Sequence, residues 1–194
     1  MTYRPDIDGL RAIAVLCVVA YHAMPEVVRG GFIGVDVFFV ISGFLISTII
    51  MRAKDEGRFS LLDFYARRIK RLFPALTVVL AATALLGWFY LLPHEFRALG
   101  KHLTAGAGYF INFTLKKEAG YFDVSAAEKP LLHLWSLAVE EQFYIVWPVL
   151  LLLVAGRRRT LAVLAAITIA SLASNLVAIN KNAAGAFYLP QNRF

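Results

Sequence analysis

The sequence predicts an all-α protein, a bundle of helices that crosses a membrane several times with its N-terminus in the cytoplasm. Two observations predict this fold. Hydrophobic residues make up 59% of the 194 residues, whereas soluble domains contain roughly 45–50%. These residues also form long blocks separated by short charged stretches, as in chains that fold in lipid.

Four blocks are long enough to cross a bilayer, because a spanning helix needs about 20 mostly apolar residues. They are residues 31–51, 72–92, 131–155 and 161–179. A shorter block, residues 9–24, has a central run similar to the core of a signal peptide. However, Asp6 and Asp8 stand where a signal peptide carries positive charge. We therefore interpret this block as a retained first helix, which gives about five spans.

The distribution of Lys and Arg predicts the orientation of the spans, because basic loops stay in the cytoplasm. Residues 52–71 contain seven basic side chains, and residues 157–159 are three arginines. Five spans that start inside place both stretches in the cytoplasm. Residues 99–115 are moderately apolar, but a sixth crossing there would move the three arginines outside. We expect an interfacial or re-entrant helix instead.

Charge and cysteine content exclude several classes of function. The net charge is +7, but the basic residues lie between apolar blocks, so they indicate orientation in the lipid bilayer and no nucleic-acid partner. Cys17 is the only cysteine, which excludes an intrachain disulfide and a cysteine-based metal site. We predict no metal site.

Ionisable residues inside spans are candidates for function, because they are costly in lipid. Arg11 and His22 are eleven residues apart, which places them within about 20° of each other on a helix and about 16 Å apart along its axis. Asp36 lies near the start of the second span, and antiparallel packing predicts that it lies beside His22. A carboxylate there would orient the imidazole as a general base. The alternatives are an arginine that extends to the interface and a purely structural pair.

Two further groups could carry function. Arg68 and Arg71 share one helix face at the cytoplasmic side, where they could clamp a phosphate or contact lipid headgroups. The fourth span carries a polar and aromatic stripe that either packs helices together or forms a wall for a sugar or acyl group. Its members are His133, Ser136, Glu140, Tyr144 and Trp147, with Glu141 at its edge.

The sequence resembles acyltransferase family 3, the bacterial membrane O-acyltransferases related to O-antigen acetylases of lipopolysaccharide. The resemblance covers the chain to about Pro148 and rests on residues 3–12, the spacing of Arg11 and His22, and residues 34–46, 64–71 and 133–144. It implies no permanently bound cofactor, an acyl-CoA donor in the cytoplasm, with acetyl-CoA as the first expectation, and a glycan or lipid-linked sugar as acceptor. It also implies the bacterial cytoplasmic (inner) membrane.

The resemblance assigns roles to named residues. Arg11 and His22 would be catalytic or would position the donor, with Asp36 orienting His22, and Arg68 and Arg71 would bind the donor. Glu140 would shape the acceptor side. Family members continue into further helices, so we expect residues 1–194 to be the N-terminal part of a membrane domain whose C-terminal half is a partner.

Two other functions stay open at this stage. A transporter or assembly subunit would use the buried charges to line a path, and it would show solute flux without loss of a thioester. An inactive, truncated form of the enzyme would fold without turning over acyl-CoA.

Overall fold

The computed structural model describes residues 4–119, 129–154 and 156–192, and over these residues the chain is helical without β-strands. This confirms the predicted all-α class. The described helices are α1 (Pro5–Ala23), α2 (Ile33–Asp55), α3 (Leu61–Tyr90), α4 (Pro93–Ala107), α5 (Ile111–Glu118), α6 (Leu134–Leu153), α7 (Arg157–Phe187) and a 3-10 helix (Pro190–Asn192).

Four of the described helices are long and apolar enough to cross a membrane: α2, α3, α6 and residues Arg158–Asn180 of α7. This confirms a multi-pass helical membrane protein. The predicted first span also forms a helix, α1, of 19 residues. Asp6, Asp8 and Arg11 lie in its first half, and α1 is not among the four. The five-span layout with a cytoplasmic N-terminus stays a prediction.

The chain divides into two compact units, Met1–Gly57 and Arg58–Phe194. In the first unit, α1 and α2 pack antiparallel through two glycines. A Cβ atom on Gly34 would overlap the carbonyl oxygen of Ala14, and one on Gly31 would overlap the carbonyl oxygen of Cys17. Small residues allow helix backbones to approach this closely. Gly31 and Gly34 therefore serve helix packing.

In the second unit, α4 folds back along α3. Three pairs of contacts follow one another down the two helices: Gly87 with Leu99, Leu80 with Gly106, and Phe73 with Tyr109. At a rise of 1.5 Å per residue, Phe73 lies about 21 Å along α3 from Gly87. The end of α4 therefore lies deep alongside α3 instead of resting at its end.

The chain reverses between α4 and α5, at Gly108, Tyr109 and Phe110. Tyr109 adopts a left-handed conformation with φ 55°, which ends α4 and starts the return. The two helices have 15 and 8 residues, too few for either to span a bilayer. We predicted one helix over residues 99–115. The structure has two, α4 and α5, which form a hairpin whose first helix runs back along α3. The choice between an interfacial and a re-entrant position stays a prediction.

A buried polar network fixes this hairpin to the later helices. Gln142 on α6 donates through Nε2 to the carbonyl oxygen of Tyr109 at 2.7 Å and to Oδ1 of Asn112 at 2.9 Å. Asn112, which is fully buried, donates to the carbonyl oxygen of Tyr188 at 3.1 Å. Buried amides satisfied in this way specify one packing arrangement. The hairpin tip is therefore held in place through its own backbone.

Candidate functional site

His22 lies in the last turn of α1, and its side chain is exposed within the first unit. Its Nδ1 atom is 2.8 Å from the carbonyl oxygen of Val18. A carbonyl oxygen only accepts, so Nδ1 carries the proton and donates this bond. In the neutral ring, Nε2 then keeps its lone pair and faces away from the bond. The helix itself thus holds His22 in the tautomer that a general base requires.

The predicted pairing of His22 with Asp36 is wrong. The contacts of Gly31 with Cys17 and of Gly34 with Ala14 fix the register of α1 and α2, and they place Asp36 level with Ala12. That position is ten residues, or about 15 Å, from His22 along the helix axis. Asp36 also lies about 160° around α2 from Gly34, away from the face that meets α1. The backbone of Val18 orients the imidazole instead.

Arg11 and His22 lie on one uninterrupted helix, so the predicted separation of about 16 Å along the axis applies. The Arg11 guanidinium pairs with Asp8 at 3.8 Å, with the two side chains 43% and 51% exposed. Asp8 is one turn closer to the N-terminus, so Arg11 leans away from His22. As placed here, the two side chains do not meet at one reacting atom.

The second unit contains a buried ion pair that joins α3 to α6. Arg68 donates through Nη2 to Oε1 of Glu141 at 2.6 Å and through Nε to Oε2 at 3.5 Å. The Arg68 and Glu141 side chains are 16% and 11% exposed. The guanidinium carbon of Arg68 also lies 3.5 Å from the centre of the Tyr144 ring. Arg68 is therefore occupied by protein groups on two sides.

Arg71 has a different environment although it is only three residues further along α3. Its side chain is exposed, as are Arg67 and Lys70. The helix already begins at Leu61, because the Ser60 hydroxyl accepts a hydrogen bond from the Asp63 amide at 3.3 Å. The basic residues from Arg67 to Arg71 are thus part of α3, the same helix as the predicted span. Arg71 presents a fixed charge at the surface of this helix.

The polar stripe predicted on α6 is divided in the structure. Tyr144 is buried and donates to Oε1 of Glu140 at 2.5 Å. His133 is the exposed cap residue of α6, and Ser136 bonds to its carbonyl oxygen. Glu140 shares its partner Tyr144 with Arg68, so it lies with the residues predicted for the donor. The acceptor-side role of Glu140 stays a prediction.

Sequence reasoning missed three buried groups of the second unit. Glu141 was placed at the edge of the stripe, although it forms the ion pair with Arg68. His102 is buried and contacts both carboxylate oxygens of Glu118 at 2.9 and 3.0 Å, and Lys129 pairs with the same carboxylate at 3.2 Å. These partners are far apart in sequence and form no motif, so only the fold brings them together.

A surface ion pair lies at the start of α1. Arg4 donates to both carboxylate oxygens of Asp6, at 2.9 and 2.6 Å. The hydrogen bond from Arg4 lowers the pKa of Asp6 to about 2. Both residues are exposed, so the pair contributes little to stability, and the negative charge suits a helix N-terminus. Within the described ranges no three His, Cys, Asp or Glu side chains are grouped to hold a metal ion.

Comparisons with known proteins agree with this architecture. A family model for the acyltransferase domain of acyltransferase family 3 matches residues 4–192. The peptidoglycan O-acetyltransferase OatA of Listeria monocytogenes is 41% identical over 152 residues, which cover 77% of this chain and 24% of that protein. A Staphylococcus aureus protein named "Putative O-acetyltransferase" is 44% identical over 156 residues, 78% of this chain and 25% of that protein.

A third relative is from Bacillus subtilis and is named "Putative peptidoglycan O-acetyltransferase YrhL". It is 38% identical over 176 residues, which cover 87% of this chain and 27% of that protein. The chain therefore spans about a quarter of the length of the curated relatives it matches. No solved structure matches it. Because the family model matches nearly the whole sequence, the chain belongs to acyltransferase family 3.

Proposed function

We propose that the protein is a membrane O-acyltransferase that moves an acyl group, acetyl in the first instance, from cytoplasmic acyl-CoA to a hydroxyl of an exported glycan. The observation that carries the proposal is the His22 imidazole, whose Nδ1 proton is fixed on Val18 and whose Nε2 keeps its lone pair. Membership of the family and the names of the relatives support the reaction class.

In the proposed reaction, His22 Nε2 accepts the proton of the sugar hydroxyl. The hydroxyl oxygen then attacks the carbonyl carbon of the thioester, and an ester bond forms as the carbon–sulfur bond breaks. The leaving thiolate of coenzyme A takes the proton back from the imidazolium. General base catalysis of this kind contributes about 10²- to 10⁴-fold to a rate.

Arg11 takes a positioning role in this proposal. Its guanidinium is tied to Asp8 and leans away from His22, so it does not stabilise charge at the carbonyl that His22 serves. A cation about 16 Å further along the same helix suits a distant anionic part of the donor. Asp36 is left without a role at His22, since the register separates them.

For the donor, we assign phosphate binding to Arg71 and not to Arg68. Arg71 is exposed, and a guanidinium that is free to meet solvent can form two charge-assisted bonds with a phosphate. Arg68 already uses Nη2 and Nε for Glu141. Arg68 therefore acts by holding α3 against α6, which fixes the direction in which Arg71 projects.

For the acceptor, two relatives carry peptidoglycan in their names. We propose a cell-wall or other exported glycan, with peptidoglycan fragments as the first acceptor to test, and the cytoplasmic membrane of a bacterium as the location. An exported acceptor agrees with the placement of His22 at the end of α1 that is predicted to lie outside.

The test is transfer of labelled acetyl from acetyl-CoA to glycan in membranes that contain the protein. His22→Ala and His22→Gln should lower the rate by about 10²- to 10⁴-fold, because neither side chain accepts the proton. His94→Ala is the matched control, since His94 is an exposed histidine at the start of α4, and its rate should stay at the wild-type level. Full transfer by His22→Ala would disprove the assignment of the base.

A further inference from the structure

Tyr109 forms the tip of the hairpin of α4 and α5. Its backbone adopts a conformation that is rare for residues with a side chain. Its φ of 55° is in the left-handed region, which is unfavourable for a residue with a Cβ atom and is concentrated at functional positions. The backbone is held there because Gln142 donates to the Tyr109 carbonyl oxygen at 2.7 Å. The ring packs edge-on against Phe73 of α3, with ring centres 6.0 Å apart.

The hydroxyl of Tyr109 is buried and, in the part of the chain that the structure describes, has no hydrogen-bond partner. The other two tyrosine hydroxyls on the interface of α3 and α6 are satisfied. Tyr65 donates to the carbonyl oxygen of Ile145 at 2.8 Å, and Tyr144 donates to Glu140. A buried polar group without a partner is costly, so each one requires an explanation.

The charges around this hydroxyl indicate what it would bind. Arg68 and Glu141 are the charged side chains whose fields reach the Tyr109 phenol. They form an ion pair, and the Glu140 carboxylate lies next to it through Tyr144. This buried region therefore offers a neutral donor and no net positive charge. A phosphate would be unfavourable here, whereas an uncharged carbonyl oxygen fits a neutral hydroxyl.

We propose that the Tyr109 hydroxyl donates a hydrogen bond to a carbonyl oxygen of the uncharged arm of the acyl donor, the amide and thioester part of acyl-CoA. The inference rests on the proposed function and deepens it. The phosphates of the donor then lie at the exposed guanidinium of Arg71, and the arm runs inward past the hairpin tip. Tyr109 is a binding residue for the arm alone.

The experiment compares two ligands with wild-type protein in nanodiscs by calorimetry. Acetyl-CoA contains both the phosphates and the arm, whereas adenosine 3′,5′-bisphosphate contains phosphates without the arm. Tyr109→Phe removes one oxygen atom and should weaken acetyl-CoA binding about 3- to 10-fold, while binding of the bisphosphate stays unchanged. Arg71→Ala should weaken the binding of both ligands.

Two control variants separate ligand contact from structure. Tyr65→Phe loses a hydrogen bond to the protein, so it should lower the melting temperature without changing the affinity for acetyl-CoA. Tyr109→Phe should melt at or above the wild-type temperature, because it removes a hydroxyl that has no protein partner. Tyr90→Phe, which changes a side chain on a residue that is 82% exposed, should change neither quantity.

The outcomes distinguish this inference from the proposed function. If wild-type protein binds acetyl-CoA and Tyr109→Phe binds it equally well, the inference is overturned while the proposed function stands. Equal weakening of both ligands, or a lower melting temperature for Tyr109→Phe, also overturns it, because the hydroxyl would then serve the phosphates or the fold. Failure of wild-type protein to bind acetyl-CoA overturns the proposed function and this inference together.

Discussion

The ion pair of Arg68 and Glu141 gives the sharpest prediction about the second unit. Arg68→Met leaves the Glu141 carboxylate, which is 11% exposed, without its cation. Glu141→Leu likewise leaves the guanidinium of Arg68 without its anion. Removal of one partner from a buried pair costs about 3–5 kcal/mol, because the remaining charge stays in a medium of low polarity. Arg68→Met also loses the contact of the guanidinium with the Tyr144 ring, worth about 0.5–2 kcal/mol.

The double variant should behave differently from either single one. With Arg68→Met and Glu141→Leu together, no buried charge is left unpaired, and such replacements are often neutral or stabilising. We expect the free energy of unfolding of the double variant to lie within about 1 kcal/mol of the wild-type value. The coupling free energy of the double-mutant cycle should therefore be about 5 kcal/mol or more in magnitude. Arg67→Met is the matched control, because Arg67 is exposed. Its free energy of unfolding should stay within about 0.5 kcal/mol of the wild-type value.

The assay is equilibrium unfolding in bicelles by titration with a denaturing detergent, followed by tryptophan fluorescence. The same proteins are then tested for acetyl-CoA binding. If Arg68 acts by fixing the orientation of α3, the double variant should fold but bind acetyl-CoA more weakly than wild type, and Arg71→Ala should fold normally and bind about 10-fold more weakly or worse. Single variants that cost under about 1 kcal/mol, or a cycle that is simply additive, would refute the role of the pair.

Two further predictions concern packing. Gly34→Ala should destabilise the packing of α1 on α2 by about 1–3 kcal/mol, because the new Cβ atom would overlap the backbone of Ala14. Gly30→Ala is the control and should be neutral, since the space at its Cβ position is open. Equal thermal unfolding of the two variants would contradict the register of α1 and α2. Asn112→Leu should lower the free energy of unfolding by about 1–3 kcal/mol, because buried partners such as the Tyr188 carbonyl oxygen lose their hydrogen bond. Asn180→Ala, at an exposed residue, is the control. Equal melting temperatures of the two variants would count against the network.

The overall architecture was predictable because it depends on long apolar blocks and on the placement of basic loops. Both are properties of the chain that neighbouring helices do not alter. The same reasoning placed α1 correctly as a helix, and with it the common face of Arg11 and His22.

The errors concern positions that the packing of two helices decides. The sequence places His22 near the end of one span and Asp36 near the start of the next. Because the turn between the spans is short, the two side chains are expected at the same depth in the membrane. Gly31 and Gly34 instead set the register, and they move Asp36 about 15 Å away. The ion pair of Glu141 escaped prediction for a similar reason. The partner that buries Glu141 is 73 residues away, and no local pattern reports it.

The arrangement of α3 explains how two arginines of one short motif can have different functions. A buried ion pair is weak evidence for stability, since apolar residues would serve as well. It is better evidence that a helix must be held in one orientation. Arg68 fixes α3 to α6 at two points, through Glu141 and through the Tyr144 ring. With both contacts formed, α3 cannot rotate about its axis, so Arg71, about 60° around from Arg68, projects in a single direction. The cost of burying one guanidinium is thus offset by the precise placement of the other.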